Sequence, residues 1–180
     1  MNKQKTYMLT TCALFSALMC IFGPMSVPIG PIPVSLTNLV IYIAIFLLGT
    51  GKTTISYVIY LLLGAVGLPV FSGYQGGMGK LMGPTGGYLI GFIFMTLIAG
   101  LFLEKSKANI GFSFLGMILG TLVAYAFGTV WFVISTQSEI GYALSVCVYP
   151  FIPFDLGKMV IATLLGKAVR KALLKTGLIR

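Results

Sequence analysis

Gly87-Tyr-Leu-Ile-Gly-Phe-Ile-Phe-Met-Thr-Leu-Ile-Ala-Gly-Leu-Phe-Leu103 contains no charged side chain, and beyond the charged break at Glu104, Lys105 and Lys107 a second charge-free run extends from Ile110 to Ile134. A helix needs roughly 20 predominantly apolar residues to cross the hydrocarbon of a bilayer, so this pair reads as two antiparallel membrane spans. The same signature recurs on either side. Apolar runs bounded by Gly, Pro or charge lie near Thr6 to Phe22, Ser35 to Leu48, Thr53 to Gly67 and Phe154 to Leu174, making six candidate spans in all. The second and third are short and must borrow flanking residues, thin the bilayer locally or form a re-entrant pair. Lys52 between them favours two true crossings, since a re-entrant pair would bury that charge.

Composition agrees. Of the 180 residues 58% are apolar and 8% charged, and the mean hydropathy is +1.03. Soluble domains carry roughly 25% charged residues. The expectation is an all-α integral membrane protein rather than a soluble or disordered one. Lys3 and Lys5 ahead of the run from Tyr7 to Phe22 resemble the start of a signal peptide, but the run closes at Gly23-Pro24-Met25 without a small-x-small cleavage pattern, so a retained first span is expected. Met19 before Cys20 likewise argues against lipoprotein processing.

The net charge of +9 invites a nucleic-acid reading until its placement is considered. With six crossings, Lys3, Lys5, Lys52, Lys105, Lys107, Lys167, Arg170, Lys171, Lys175 and Arg180 all lie on one side, which the positive-inside rule makes cytoplasmic. Both termini are then inside, and no nucleic-acid partner is expected. The eight prolines gather on or near the opposite side, where Pro24 to Pro33, Leu68 to Gly86 and Ser135 to Pro153 read as long irregular segments. Non-helical backbone near membrane depth needs a protein-lined cavity to satisfy its polar groups. An outward-facing pocket covered by loops follows as an expectation.

Few residues are available for catalysis. There is no His, and Glu104, Glu139 and Asp155 are the only acids. A His-based triad, a His-ligated zinc and a paired-carboxylate site therefore lack candidates, and neither enzymatic activity nor a metal is expected. Cys12, Cys20 and Cys147 form no CxxC pattern and read as packing residues. Gly49-Thr-Gly-Lys-Thr-Thr54 resembles the end of a phosphate-binding loop, but Phe46 holds the position of the required first glycine. It reads as a tight turn, and any ATP must be hydrolysed by another subunit.

Three segments could bind a small molecule. The first is Phe71-Ser-Gly-Tyr-Gln-Gly-Gly-Met-Gly-Lys80 with Gly83-Pro-Thr-Gly-Gly-Tyr88, where glycines let backbone approach a ligand and Tyr74, Lys80 and Tyr88 supply aromatic and cationic groups. The alternative is a mere connecting loop. The second is Phe151-Ile-Pro-Phe-Asp-Leu-Gly-Lys158, which sets Asp155 and Lys158 three apart, on one face if the helix has begun. An acceptor-only carboxylate beside an ammonium donor suits a neutral group bearing both N–H and C=O, such as a cyclic urea or amide. Otherwise Asp155 caps the helix while Lys158 snorkels outward. The third is Pro33-Val-Ser-Leu-Thr-Asn38, whose Thr37 and Asn38 either complete the pocket or cap span two. Small residues also recur four apart, Ala13 with Ala17, Gly87 with Gly91, and Gly116, Gly120, Ala124, Gly128. Such ladders permit close helix approach, within the chain or against a partner.

Taken together, Gly30-Pro-Ile-Pro-Val-Ser-Leu-Thr-Asn38, Gly67-Leu-Pro-Val-Phe-Ser-Gly73 with Gly76-Gly77 and Gly83-Pro-Thr-Gly-Gly-Tyr-Leu-Ile-Gly-Phe92, and Phe151-Ile-Pro-Phe-Asp-Leu-Gly-Lys158 resemble the BioY family of biotin transporters, the substrate-binding S components of energy-coupling factor (ECF) transporters. The resemblance runs through nearly the whole chain in the expected order. It implies that residues 1–180 form a single transmembrane substrate-binding domain of six helices in a bacterial cell membrane, with a high-affinity biotin pocket near the outer surface. It implies no cofactor, biotin being the transported substrate. The partners it implies are a transmembrane scaffold subunit, met by Ala13-x-x-x-Ala17, and two cytoplasmic ATPases that energise a tilting of the S component.

The same resemblance makes Asp155 the acceptor of a ureido N–H and Lys158 the donor to the ureido oxygen. It further implies that Tyr88, Phe71 and Tyr74 pack on the bicyclic ring, and that amides around Gly76, Gly77 and Gly86, with Lys80, take the valerate carboxylate. Leu36-Thr37-Asn38 departs from the Leu-Gln-Thr of many relatives, so a Gln contact from span two is not expected and Asn38 is the candidate substitute. The competing readings are an S component for riboflavin or thiamine, a solitary transporter or channel, and, more distantly, a membrane enzyme. The nearly charge-free interior weighs against ion coupling.

Overall fold

In the computed structural model, which describes residues 3–106 and 109–175, the chain is helical apart from one small hairpin. The elements are α1 (Lys3–Phe22), β1 (Ser26–Pro28), β2 (Pro33–Ser35), α2 (Thr37–Leu48), α3 (Thr50–Ala65), α4 (Met78–Met82), α5 (Gly86–Lys105), α6 (Ile110–Thr136), α7 (Ile140–Cys147) and α8 (Phe151–Lys175). Each of the six apolar runs becomes a helix. Among the described residues three helices, α1, α5 and α6, are long and apolar enough to cross a membrane, and α7 with α8, bent by 40° at their junction, add a fourth if taken as one span.

The shortness of α2 has a packing reason. Val40, Ile41, Tyr42, Ala44, Ile45 and Phe46 are all buried, so nearly every side of this helix meets protein. A helix apolar all round is an interior helix, and α2 is surrounded by α1, α3, α5 and α8. Gly49 separates it from α3, with φ of 79° and its N–H donating to Ile45 O at 3.0 Å. Positive φ is costly for residues with a Cβ, so glycine suits this one-residue break. Glu104 at the end of α5 then accepts from the first amide of α3, Thr50 N, at 2.7 Å, satisfying a donor that a helix start leaves without an intrahelical partner.

The glycine ladder of α6 packs inside the chain. A Cβ on Gly120 would lie 2.8 Å from Met95 O, one on Gly116 2.2 Å from Phe102 Cβ, and one on Gly128 2.4 Å from the Tyr88 ring. Gly87 of α5 answers in kind against Trp131, and Gly91 against Ala124. The charge-free runs of α5 and α6 therefore lie against each other at backbone distance, as small residues allow in lipid.

Three expectations change. The segments foreseen as irregular contain structure: β1 pairs antiparallel with β2 through Val27↔Val34, α4 interrupts the glycine-rich stretch, and α7 occupies much of the stretch before Pro153. The last helix begins at Phe151 rather than Phe154, which puts Pro153 in its first turn, where a missing N–H removes no intrahelical bond. Asp155 is thereby inside the helix and is not its cap. Cys12 and Cys147 are buried and Cys20 is half-buried, all three as free thiols.

Candidate substrate-binding site

The turn of helix that follows Pro153 carries the polar centre of the molecule. Asp155 and Lys158 sit three apart on the inward face of α8, only 5% and 8% exposed. Lys158 Nζ donates to Asp155 Oδ1 at 3.0 Å. Burying this pair is expensive unless further partners satisfy the charges, and other helices supply them. Asn38 Nδ2 of α2 donates to Oδ1 at 2.8 Å, and the Tyr125 hydroxyl of α6 donates to Oδ2 at 2.5 Å. One carboxylate thus joins α2, α6 and α8. One turn further along α2 and α6, the Tyr42 and Thr121 hydroxyls are 2.5 Å apart, continuing the polar seam.

Beside this centre lies a cavity of about 900 Å³. The first loop and hairpin (Pro24, Met25, Ser26, Val27, Ile29, Val34, Leu36), the loop residues Gly73 and Tyr74, and the α8 residues Pro153, Phe154, Gly157, Lys158 and Ile161 form its walls. Its volume falls in the range of small-molecule sites, and an apolar wall with few polar groups is their usual character. Lys158 belongs both to this wall and to the carboxylate cluster. Among the described residues no three His, Cys, Asp or Glu side chains are placed to hold a metal ion.

The structure brings some of the sequence-selected residues together and keeps others apart. Asp155, Lys158 and Asn38 meet directly. Thr37 is buried beside them in sequence, but its hydroxyl accepts from Ser35 Oγ at 3.2 Å. Tyr74 lines the cavity, is 69% exposed and holds a φ of 58°. Phe71 is fully buried instead, its ring edge-on to Tyr60 and pressed on Gly64. Tyr88 points into the seam between α5, α6 and α7, donating to Cys147 O at 3.3 Å and lying 3.2 Å from Thr129 Oγ1.

The glycine-rich stretch is tied down by its own backbone. Gly77 N–H donates to Gly64 O at 2.7 Å and Gly86 N–H to Gly83 O at 3.0 Å, so neither amide is free for a carboxylate here. Gly76 packs against Leu68, where a Cβ would meet the carbonyl oxygen at 2.2 Å, and Gly86 similarly abuts Leu81. Lys80, on α4, is half-buried and away from the cavity wall; burial pulls its pKa below the usual lysine range. Trp131 Nε1 of α6 donates to Gly83 O at 3.0 Å and fastens the end of the stretch.

Sequence reasoning missed Tyr125. A tyrosine in an otherwise apolar run reads as core, and the available signal was the demand of a buried phenol for a hydrogen-bond partner. Ala13 and Ala17, by contrast, are where a partner could reach them. They lie on the exposed face of α1 in line with exposed Leu9 and Ile21. Cys12, Phe15, Ser16 and Met19 occupy the buried face, and Ser16 Oγ donates to Ser56 O of α3 at 2.9 Å.

Comparison with known proteins follows the same outline. The pattern of the BioY family matches residues 1–175. The chain is 34% identical over 176 residues to the biotin transporter BioY2 of Lactococcus lactis subsp. cremoris, spanning 98% of this chain and 97% of the relative. It is 37% identical over 164 residues to the biotin transporter BioY of Thermotoga maritima, spanning 91% and 95%. Among solved structures it superposes with a TM-score of 0.86 and 32% identity on the S-component for biotin from an ECF-type ABC transporter, over 95% of this chain and 94% of the other.

Proposed function

Given that the chain belongs to the BioY family, we propose that it is the biotin-binding S component of an ECF-type transporter, a transporter subunit and not an enzyme. The observation that carries the site assignment is the buried Asp155–Lys158 ion pair, whose lysine lines the cavity. A ureido ring presents an N–H and a C=O side by side, and the pair presents an acceptor beside a donor. Asp155 accepts the N–H, Lys158 donates to the oxygen, and the apolar wall with Tyr74 packs on the remaining ring and chain. Charge-assisted hydrogen bonds of this kind are about twice as strong as neutral ones. They also reject analogues that lack either group, because the buried partners would be left unpaired.

In the same reading residues 1–180 are one transmembrane domain with six crossings, both termini cytoplasmic and the cavity facing out, in a bacterial cell membrane. The basic residues of both tails support this topology. Ala13 and Ala17 seat a scaffold subunit, for which their exposure on α1 is the support. Two cytoplasmic ATPases supply the energy, and no cofactor takes part. Equilibrium binding of biotin to the purified, detergent-solubilised chain, with riboflavin and thiamine as comparators, tests the assignment. Tight binding of biotin alone is the expected outcome; a folded sample that prefers either comparator, or binds none, refutes it.

A further inference from the structure

A carboxylate offers about four lone-pair positions, two on each oxygen. Among the described residues, Oδ1 of Asp155 receives Asn38 Nδ2 at 2.8 Å and Lys158 Nζ at 3.0 Å, while Oδ2 receives only the Tyr125 hydroxyl at 2.5 Å. Oδ1 is therefore filled by protein donors and Oδ2 keeps one position open. Resting on the biotin reading above, we infer that the substrate N–H is read by Oδ2, and that Tyr125 is the positioning residue that aims this oxygen. Asn38 and Tyr125 grip opposite ends of the carboxylate from different helices, so the carboxylate cannot swing about its Cβ–Cγ bond without breaking one of them. Pre-setting an acceptor in this way lowers the ordering cost of binding.

Simple competition gives the opposite expectation. If Tyr125 merely occupied part of Oδ2, removing its hydroxyl would free a second position and leave biotin bound at least as well. Tyr125→Phe keeps the ring, and Asp155 retains Asn38 and Lys158, so the carboxylate is not stranded and the variant folds. The test is equilibrium binding of biotin and of the two biotins methylated on one or the other ureido nitrogen, to wild type, Tyr125→Phe and Lys158→Met, with thermal midpoints recorded for each.

In wild type, methylation of one nitrogen is expected to weaken binding about a hundredfold, the loss of a hydrogen bond to a charged acceptor. Tyr125→Phe weakens biotin by about ten- to a hundredfold, the range for a hydrogen bond to a charged group. It changes the affinity of the methylated analogue far less, so the methyl penalty shrinks. Such a cycle isolates coupling between the hydroxyl and the substrate N–H. The inference is overturned if Tyr125→Phe binds biotin as wild type does, if biotin and the methylated analogue weaken in equal proportion, or if wild type tolerates methylation at both nitrogens. Unchanged biotin binding by Lys158→Met is a different result: it removes Lys158 from the contact and takes with it the underlying assignment of the ureido group to the Asp155–Lys158 pair.

Discussion

Lys158→Met will raise the Kd for biotin by about two to three orders of magnitude and leave the protein folded. The magnitude follows from losing a hydrogen bond from a charged donor, about 1.5–3 kcal/mol, and leaving the buried ureido oxygen without a donor, about 1–3 kcal/mol more. The fold survives because of the arrangement around Asp155. Removing the ammonium leaves the carboxylate with Asn38 and Tyr125 as donors, and methionine refills most of the volume along the cavity wall. The reciprocal change is less informative. Asp155→Ala would deprive donors from α2, α6 and α8 of their common acceptor and strand the buried ammonium, destabilising the protein by about 3–5 kcal/mol. Detergent-purified Lys158→Met, assayed for biotin affinity and thermal midpoint together, separates recognition from folding. A Kd within a few-fold of wild type would remove Lys158 from the contact.

The second large effect concerns assembly. Ala13→Trp with Ala17→Trp will abolish co-purification with the scaffold subunit while biotin affinity changes by no more than about twofold, the range for surface substitutions. Both alanines face outward from α1, whereas the contacts that hold α1 to α3, such as Ser16 with Ser56, lie on the other face. Indole groups at these positions therefore project from the bundle and need no rearrangement of its interior. They block the close helix approach that small residues permit. Loss of biotin binding in the same variant would show that these alanines support the fold instead.

The legible and illegible parts of this molecule divide along physical lines. Apolar runs ended by Gly23-Pro24, Gly49 and Gly67 translate directly into helices, because in an apolar setting the backbone has few other ways to satisfy itself. The β1–β2 hairpin, α4 and α7 were hidden. Each is short, and what holds such pieces is contact with distant segments, as where Trp131 reaches Gly83. The motif around Asp155 and Lys158 was readable because buried charge is scarce in such a chain and must find partners.

Side-chain direction was not readable. Phe71 and Tyr74 are three residues apart in one glycine-rich segment, yet Phe71 is locked against Gly64 while Tyr74, at positive φ, lines the cavity. Tyr88 likewise spends its hydroxyl on Thr129 and Cys147. Proximity to a motif in sequence gives no torsion angles. Tyr125 shows the converse, 30 residues away from Asp155 in sequence and in hydrogen-bond contact with it.

The central claim is that a ureido group lies across the Asp155–Lys158 pair, and a crystal structure of the protein with biotin bound tests it most directly. The account predicts the ureido oxygen within hydrogen-bond distance of Lys158 Nζ and one ureido nitrogen within hydrogen-bond distance of Asp155 Oδ2, beside the Tyr125 hydroxyl. Biotin bound with its ureido ring away from this pair, the carboxylate still engaged only by Asn38, Tyr125 and Lys158, would contradict it.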